Sequence, residues 1–206
     1  MSVGKGFYFS ITMTTFLTYI KTNWIEIVGA ILSLIYLYLS IRQKVSLWFF
    51  GIISSVFYIV VFFESKLYAD LSLQVYYVVI SIYGWMNWKR GKEGTGDELP
   101  PTRMSKRLWV NLTFVTAMIY FAYYLVLINF TDSAVPKADS LVGALSMVGT
   151  WLLARKYIEN WLIWIVADGL CVGLYAYKGL YPTVILFVIY TAMSVDGYLQ
   201  WRKTVV

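Results

Sequence analysis

The chain has 206 residues, of which 60% are hydrophobic and 14% are charged, and its formal net charge is +6. A soluble domain of this length cannot bury so much apolar surface, so the composition excludes a soluble globular protein and indicates an all-α polytopic membrane protein. The basic residues lie at the ends of apolar runs, where they orient a chain in the bilayer, so they do not indicate a nucleic-acid partner. Because the chain has no histidine, we expect neither a metal site nor a cofactor.

The first element in chain order is an uncharged stretch at residues 7–20, within an N-terminal segment at 1–23. It is too short to span a bilayer, and Ser10, Thr14 and Thr18 recur at every fourth residue. This pattern predicts a helix that lies in the membrane interface. An eighth span is the alternative, and a cleavable signal peptide is disfavoured because no small-residue cleavage site follows.

Seven further segments are apolar over a length that can span a bilayer, about 20 residues. We predict transmembrane helices at residues 24–41, 45–63, 67–88, 108–128, 139–154, 160–177 and 180–201. A polar stretch at 89–107 separates the third helix from the fourth and is rich in glycine, proline and charge. It is predicted to be a loop outside the bilayer.

The orientation follows from the lysines and arginines of alternate loops. Five lie on one side, namely Lys5, Lys21, Lys66, Lys137 and Lys178. Twelve lie on the other side, namely Arg42, Lys44, Lys89, Arg90, Lys92, Arg103, Lys106, Arg107, Arg155, Lys156, Arg202 and Lys203. The richer side is predicted to be cytoplasmic, so the N-terminus faces out and the C-terminus faces in.

An internal repeat relates the two ends of the chain. The sequence IVGAI at 27–31 matches LVGAL at 141–145, and beyond the first loop the offset is 113 residues. At that offset identical residues pair as Trp48 with Trp161, Tyr77 with Tyr190, Ser81 with Ser194, Gly84 with Gly197 and Trp88 with Trp201.

Each copy of the repeat contains three spans, at residues 24–88 and 139–203, and the helix at 108–128 lies between them. One extra crossing makes the two copies parallel, so the predicted arrangement is 3+1+3 with a pseudo-twofold axis along the membrane normal. Transporters built from repeats bind their substrates near the midplane, between the copies.

Polar and aromatic side chains recur on single helix faces at matching depths of the two copies. Residues at i, i+3 and i+7 share a face of a helix. With this spacing the sixth span has Trp161, Trp164 and Asp168, the third has Gln74, Tyr77 and Ser81, and the second has Trp48 and Ser55 at the equivalent positions. Together with Tyr190 and Asp196 of the last span, these residues are the candidate substrate site.

Two tryptophans beside a carboxylate suit a flat ring with a delocalised positive charge. The indoles supply stacking and cation–π attraction, and Asp168 supplies a counter-charge at a depth where no basic residue lies. Asp196 lies closer to the cytoplasmic end and on another face than Tyr190, so pairing with a loop cation such as Arg155 is an alternative to substrate binding.

Two stretches of the chain resemble a known family. The stretches FFGIISSVFYIVVFFESKLYADLSLQVYYVVISIYGW and RKYIENWLIWIVADGLCVGLYAYKGLY are similar to the PnuC family of bacterial vitamin transporters, and the likeness covers about residues 24–203. The resemblance implies seven helices related to the SWEET sugar transporters, a homotrimer, and the bacterial inner membrane. It also implies facilitated diffusion, with the vitamin trapped by intracellular phosphorylation.

The resemblance leaves the substrate open among nicotinamide riboside, thiamine and riboflavin. Asparagine is usual in the nicotinamide riboside type where this chain has Asp168 and Asp196, so thiamine is the expected substrate and nicotinamide riboside, also a ring cation, is the alternative. Neutral riboflavin fits the carboxylates least.

Two other classes of function are less consistent with the sequence. An intramembrane aspartyl protease needs two carboxylates close enough to share a proton, whereas Asp168 and Asp196 differ in predicted depth and no Gly-x-Gly-Asp motif is present. No phosphate-binding loop is present, so the chain does not hydrolyse ATP. We therefore expect no enzymatic activity, and coupling of transport to protons through Asp168 stays open.

Overall fold

The computed structural model describes residues 24–64, 68–95 and 99–205, and within these ranges it is all-helical. The described residues form seven helices: α1 (Trp24–Ile41), α2 (Leu47–Glu64), α3 (Tyr68–Thr95), α4 (Lys106–Phe130), α5 (Pro136–Ala154), α6 (Asn160–Tyr177) and α7 (Tyr181–Trp201). Each of the seven predicted spans coincides with one of them. The interfacial helix predicted at residues 7–20 lies outside the described residues.

Four of the helices in the described part of the chain, α2, α4, α6 and α7, are long and apolar enough to cross a membrane by length and composition. The ends of the helices follow local signals. Ser105 caps α4 by accepting a hydrogen bond from the Leu108 amide at 3.2 Å. Pro136 and Pro182 lie in the first turns of α5 and α7, where no amide proton is needed. Gly179 follows α6 with a φ of 73°, which favours glycine.

The stretch predicted as a loop at 89–107 differs from that prediction at its start, because α3 continues to Thr95. Lysine, arginine and glutamate in this stretch are good helix formers, which outweighs its glycines. Farther on, Thr102 exchanges backbone hydrogen bonds of 3.0 Å with Lys156 and Ile158, and the Met104 amide donates to Glu159 at 3.1 Å. The end of the stretch is therefore attached to the α5–α6 connection.

Six of the helices contact one another in a closed cycle. Helix α1 packs on α2 and α7, α2 on α3, α3 on α5, α5 on α6, and α6 on α7. These six helices form a ring, and α4 lies outside it against α5. Small buried residues of α5, among them Gly143, Ala144 and Gly149, allow the neighbouring helices to approach closely.

Two tryptophan pairs occupy equivalent places in the ring. Trp48 and Trp88 meet edge to face with ring centroids 5.5 Å apart, and Trp161 and Trp201 do so at the same distance. The first tryptophan of each pair packs on a glycine of the last helix of its repeat, Gly84 and Gly197 respectively, where a Cβ atom would collide with the indole. The residues that match in the sequence therefore make matching contacts.

One end of the ring is closed by three connections and the end of α7. Lys156, with 2% of its surface exposed, donates to the Leu99 carbonyl at 2.6 Å and to Gln43 Oε1 at 3.3 Å. Its ammonium lies 4.4 Å from the centroid of a Trp88 ring. Gln43 in turn donates to Thr204 at 3.1 Å. The connections that the charge count assigned to one side of the membrane are therefore in contact.

Candidate functional site

Two cavities lie side by side inside the ring. The first cavity, of about 280 Å³, is surrounded mainly by α1, α2 and α3. The second cavity, of about 120 Å³, is surrounded by α1, α5, α6 and α7. Ser33, Tyr36 and Trp164 line both, so a molecule larger than either cavity has a route to extend from one into the other.

The first cavity is lined by five of the predicted site residues: Ser55, Gln74, Tyr77, Ser81 and Trp164. Hydroxyl and amide groups dominate its polar lining, and none of the charged side chains that the structure describes lines it. Groups of this kind donate to and accept from sugar hydroxyls without a large desolvation cost. The first cavity therefore suits a neutral, polar part of a ligand.

The second cavity is lined by Trp164 as well and by three further predicted residues: Trp161, Asp168 and Tyr190. Asp168 has only 5% of its surface exposed, and its carboxylate accepts a hydrogen bond from Ser194 at 3.2 Å. Among the described residues it forms no ion pair. A buried carboxylate without a cation costs free energy, so this cavity suits a positively charged ligand.

The two cavities occupy equivalent places in the two repeats. At the offset of 113 residues, Ser55 corresponds to Asp168, Gly51 to Trp164, Tyr77 to Tyr190 and Ser81 to Ser194. Tyr77 and Ser81 line the first cavity, and their equivalents Tyr190 and Ser194 line the second. The scaffold is thus duplicated, whereas the carboxylate and the indole of Trp164 are present only once.

Two predicted site residues line neither cavity. Trp48 is fully buried between Trp88 and Gly84, where it fills the interior of the helix ring. Asp196 is exposed, and its carboxylate accepts from the Gln200 amide one turn later at 3.3 Å. The alternative partner proposed for Asp196, Arg155, instead lies over the rings of Trp151 and Tyr157.

The structure adds residues of α1 that the sequence reasoning missed. Ser33, Tyr36 and Ser40 line the second cavity, and the first two also line the first cavity. They are spaced at i, i+3 and i+7, the same spacing that selected Trp161, Trp164 and Asp168. The signal was present, but serine and tyrosine among so many apolar residues stand out less than a carboxylate.

A third and larger cavity, of about 650 Å³, lies outside the ring between α4 and α5. Its lining is almost entirely apolar, with Lys137 as its one charged side chain in the part of the chain that the structure describes. Binding sites for polar metabolites need a few convergent polar groups, which the two inner cavities supply and this groove does not.

Known proteins resemble the chain over nearly its whole length. A family model described as nicotinamide mononucleotide transporter matches residues 23–203. The nicotinamide riboside transporter PnuC of Escherichia coli (strain K12) is 32% identical, over 87% of this chain and 85% of the relative. The riboflavin/roseoflavin transporter RibM of Streptomyces davaonensis is 26% identical, over 86% of this chain and 84% of the relative. The crystal structure of the vitamin B3 transporter PnuC matches with a TM-score of 0.72 at 25% identity, covering 98% of this chain and 90% of that one.

Proposed function

We propose a substrate and a mode of transport from the premise that the chain belongs to the nicotinamide mononucleotide transporter family. Membership makes it a multi-pass transporter of a small vitamin in the bacterial inner membrane, and not an enzyme. The substrate proposed for this chain is nicotinamide riboside. The observation that carries a ring cation as substrate is the buried carboxylate of Asp168, which lines a cavity beside Trp164 and has no cation partner among the described residues. Among ring cations, the relatives that are named nicotinamide riboside transporters support nicotinamide riboside.

The pyridinium ring of nicotinamide riboside is a flat cation and matches the second cavity. Asp168 supplies the counter-charge, and a ring cation over an indole such as that of Trp164 gains about 0.5–2 kcal/mol. Ser194 holds the carboxylate in place through its hydroxyl. A cavity of roughly 150 Å³ is known to accept a benzene-sized ring, so a space of about 120 Å³ matches the ring alone rather than the whole nucleoside.

The ribose of the substrate is assigned to the first cavity. Gln74 and Ser81 offer one amide and one hydroxyl there, and Ser55 and Tyr77 add two more hydroxyls. Because Trp164 borders both cavities, a nucleoside that passes beside it has its charged ring on one side and its sugar on the other.

The sequence analysis expected thiamine as the substrate, but the similar proteins do not support it. Their names agree better with the alternative, nicotinamide riboside. The physical reason is that a carboxylate attracts any flat ring cation, so Asp168 by itself does not separate a thiazolium from a pyridinium. Titrating the purified protein with labelled nicotinamide riboside and labelled thiamine tests the assignment. We expect micromolar or tighter binding of the first and weak binding of the second; the reverse order would overturn the proposal.

The membrane arrangement proposed for this chain is 3+1+3, with the N-terminus outside and the C-terminus in the cytoplasm. The two repeats are residues 24–88 and 139–203, the cytoplasmic linker is 89–107, and the helix at 108–128 joins them. The equivalent tryptophan pairs and the closed order of the ring support two related halves with α4 apart from both. The contact between the connections rich in basic residues supports their lying on one side.

Transport is proposed to be facilitated diffusion, with phosphorylation in the cytoplasm trapping the product. In vesicles without a kinase, substrate should then equilibrate but not accumulate, and a protonophore should leave the uptake rate unchanged. Accumulation that collapses on adding the protonophore would instead indicate proton coupling. The assembly is proposed to be a homotrimer with one pathway in each protomer, which the mass of the protein in detergent tests.

A further inference from the structure

Asn160, the first residue of α6, has an amide oxygen without a partner. The residue is fully buried and lines the second cavity. Its Nδ2 donates to the backbone carbonyl of Tyr157 at 2.6 Å, whereas its Oδ1 has no hydrogen-bond partner among the described residues. Because a carbonyl only accepts, the nitrogen must face Tyr157, and the orientation of the amide is thereby determined. An acceptor oxygen is therefore left over on a residue that lines the cavity.

A buried polar atom without a partner costs about 1–3 kcal/mol, so each such atom needs an explanation. The other two in the described part of the chain are the indole nitrogens of Trp48 and Trp161. These residues are equivalent in the two repeats and pack in the same way on Gly84 and Gly197, so the duplicated scaffold accounts for both. It does not account for Asn160, whose equivalent at the offset of 113 residues is Leu47, a fully buried apolar residue.

We propose that Asn160 Oδ1 accepts a hydrogen bond from the carboxamide N–H of the substrate, and so makes Asn160 a residue that determines specificity. This inference rests on the proposed function. Asn160 and Asp168 are eight residues apart on α6, which corresponds to about 12 Å along the axis. That separation leaves room for a pyridinium ring with its carboxamide and for one contact at each end. The ring nitrogen lies toward Asp168, and the carboxamide lies toward Asn160.

The placement predicts which analogues the site rejects. Replacing the amide group by a methyl ketone keeps the ring cation, the carbonyl and the ribose, but removes the N–H donor. The Asn160 oxygen would then stay unpaired in the complex. A site built to pair a donor discriminates against a ligand that lacks it more strongly than an apolar site does, because the buried group loses its partner.

The test compares nicotinamide riboside with 3-acetylpyridine riboside on the purified full chain. For the wild type we expect about tenfold tighter binding of nicotinamide riboside, the effect of one hydrogen bond to a buried acceptor. Asn160→Leu, which introduces the residue of the other repeat, should bring the ratio of the two dissociation constants close to one. Asn87→Leu is the matched control: this asparagine also donates its amide to a carbonyl, that of Ala154 at 3.0 Å, and lines neither inner cavity. It should keep the wild-type ratio.

The outcomes separate this inference from the proposed function. A wild type that binds neither riboside refutes the proposed function. A wild type that binds both equally leaves that function standing and overturns the role of Asn160, as does an unchanged ratio in Asn160→Leu. Should Asn160→Leu fail to fold, Asn160→Ala also removes the acceptor oxygen and must bring the ratio of the two dissociation constants close to one; a ratio that stays at the wild-type value also overturns the inference.

Discussion

The hydroxyl of Ser194 donates a hydrogen bond to the carboxylate of Asp168 across 3.2 Å, inside the second cavity. The bond joins α7 to α6 and orients the carboxylate without neutralising it, since a hydroxyl carries no charge. The equivalent residues of the first cavity, Ser81 and Ser55, repeat the hydroxyl but not the acid. The combined site is therefore electrostatically one-sided, and a substrate with one charged end has a preferred direction within it.

Removing the carboxylate of Asp168 should weaken substrate binding. Asp168→Ala eliminates both the counter-charge and the acceptor of the Ser194 hydrogen bond, and we expect at least a tenfold rise in the dissociation constant for nicotinamide riboside, or ~1.4 kcal/mol. Asp168→Asn keeps the shape and an acceptor oxygen, so its loss should be smaller. Titration of both variants checks the order, and an alanine variant with wild-type affinity would refute a role for the charge.

Narrowing the first cavity should impair binding without affecting the charged ring directly. A Cβ atom on Gly51 would lie 3.1 Å from the Ser81 hydroxyl and from the Tyr36 ring, so Gly51→Val fills the space assigned to the ribose. We expect the affinity for nicotinamide riboside to fall severalfold. Gly173→Val is the control, because nothing lies within 4 Å of its added Cβ atom. If both variants bound nicotinamide riboside with equal affinity, the assignment of the ribose to this cavity would be wrong.

Adding one methyl group at either of the two equivalent tryptophan–glycine contacts should destabilise the fold. Gly84→Ala and Gly197→Ala each force a Cβ atom against a buried indole, that of Trp48 or Trp161, and overpacking of this kind costs about 1–3 kcal/mol. Because the two contacts are equivalent, thermal unfolding in detergent should show similar decreases in Tm. Gly173→Ala should leave the Tm nearly unchanged, and a strong effect at only one of the two glycines would argue against equivalent packing.

Replacing Lys156 should loosen the segment that follows α3. Lys156→Met loses the hydrogen bond to the Leu99 carbonyl and the cation–π contact with Trp88. We expect trypsin to cleave faster after Arg103, which is exposed and adjoins the backbone pair between Thr102 and Lys156. Lys89→Met removes a more exposed lysine near Trp85 and serves as the control. Cleavage at the wild-type rate would mean that the backbone pair alone holds the segment.

The orientation can be tested with single cysteines. The chain has one native cysteine, Cys171, which is buried, so Cys171→Ala provides a background without thiols. Asp132→Cys, after α4, should react in intact cells with a maleimide that cannot cross the membrane. Lys203→Cys, after α7, should react only once the membrane is opened. The opposite result would invert the proposed topology.

Much of the fold could be predicted from the sequence because apolar runs of membrane length leave few alternatives. The bounds of α1 and α6 agree with prediction to the residue. The end of α3 does not, since composition alone marks a polar stretch as a loop even when its residues favour a helix. The hydropathy pattern also could not predict which helices pack against each other, because that depends on the fit of side chains between distant segments.

The sequence could predict those residues of the candidate site that are polar and lie within an apolar run. Asp168 was predicted because a carboxylate in an apolar run is costly, and Gln74 because an amide is uncommon there; each lines an inner cavity. Trp48 matched the spacing but lines neither cavity, since large aromatic side chains also fill helix contacts. Asn160 was missed because it lies at a helix end, where an asparagine ordinarily faces water; only its complete burial sets it apart.

The presence of Gly51 in one repeat and Trp164 at the equivalent place in the other has a consequence for how such a protein arises. Two separate copies of one three-helix unit would have to carry the same residue at both places, and a side chain larger than glycine at position 51 would crowd Ser81 and Tyr36. Covalent fusion removes that constraint, since each half then acquires mutations independently. A symmetric ancestor can in this way give rise to a fused chain whose two different halves match an asymmetric substrate.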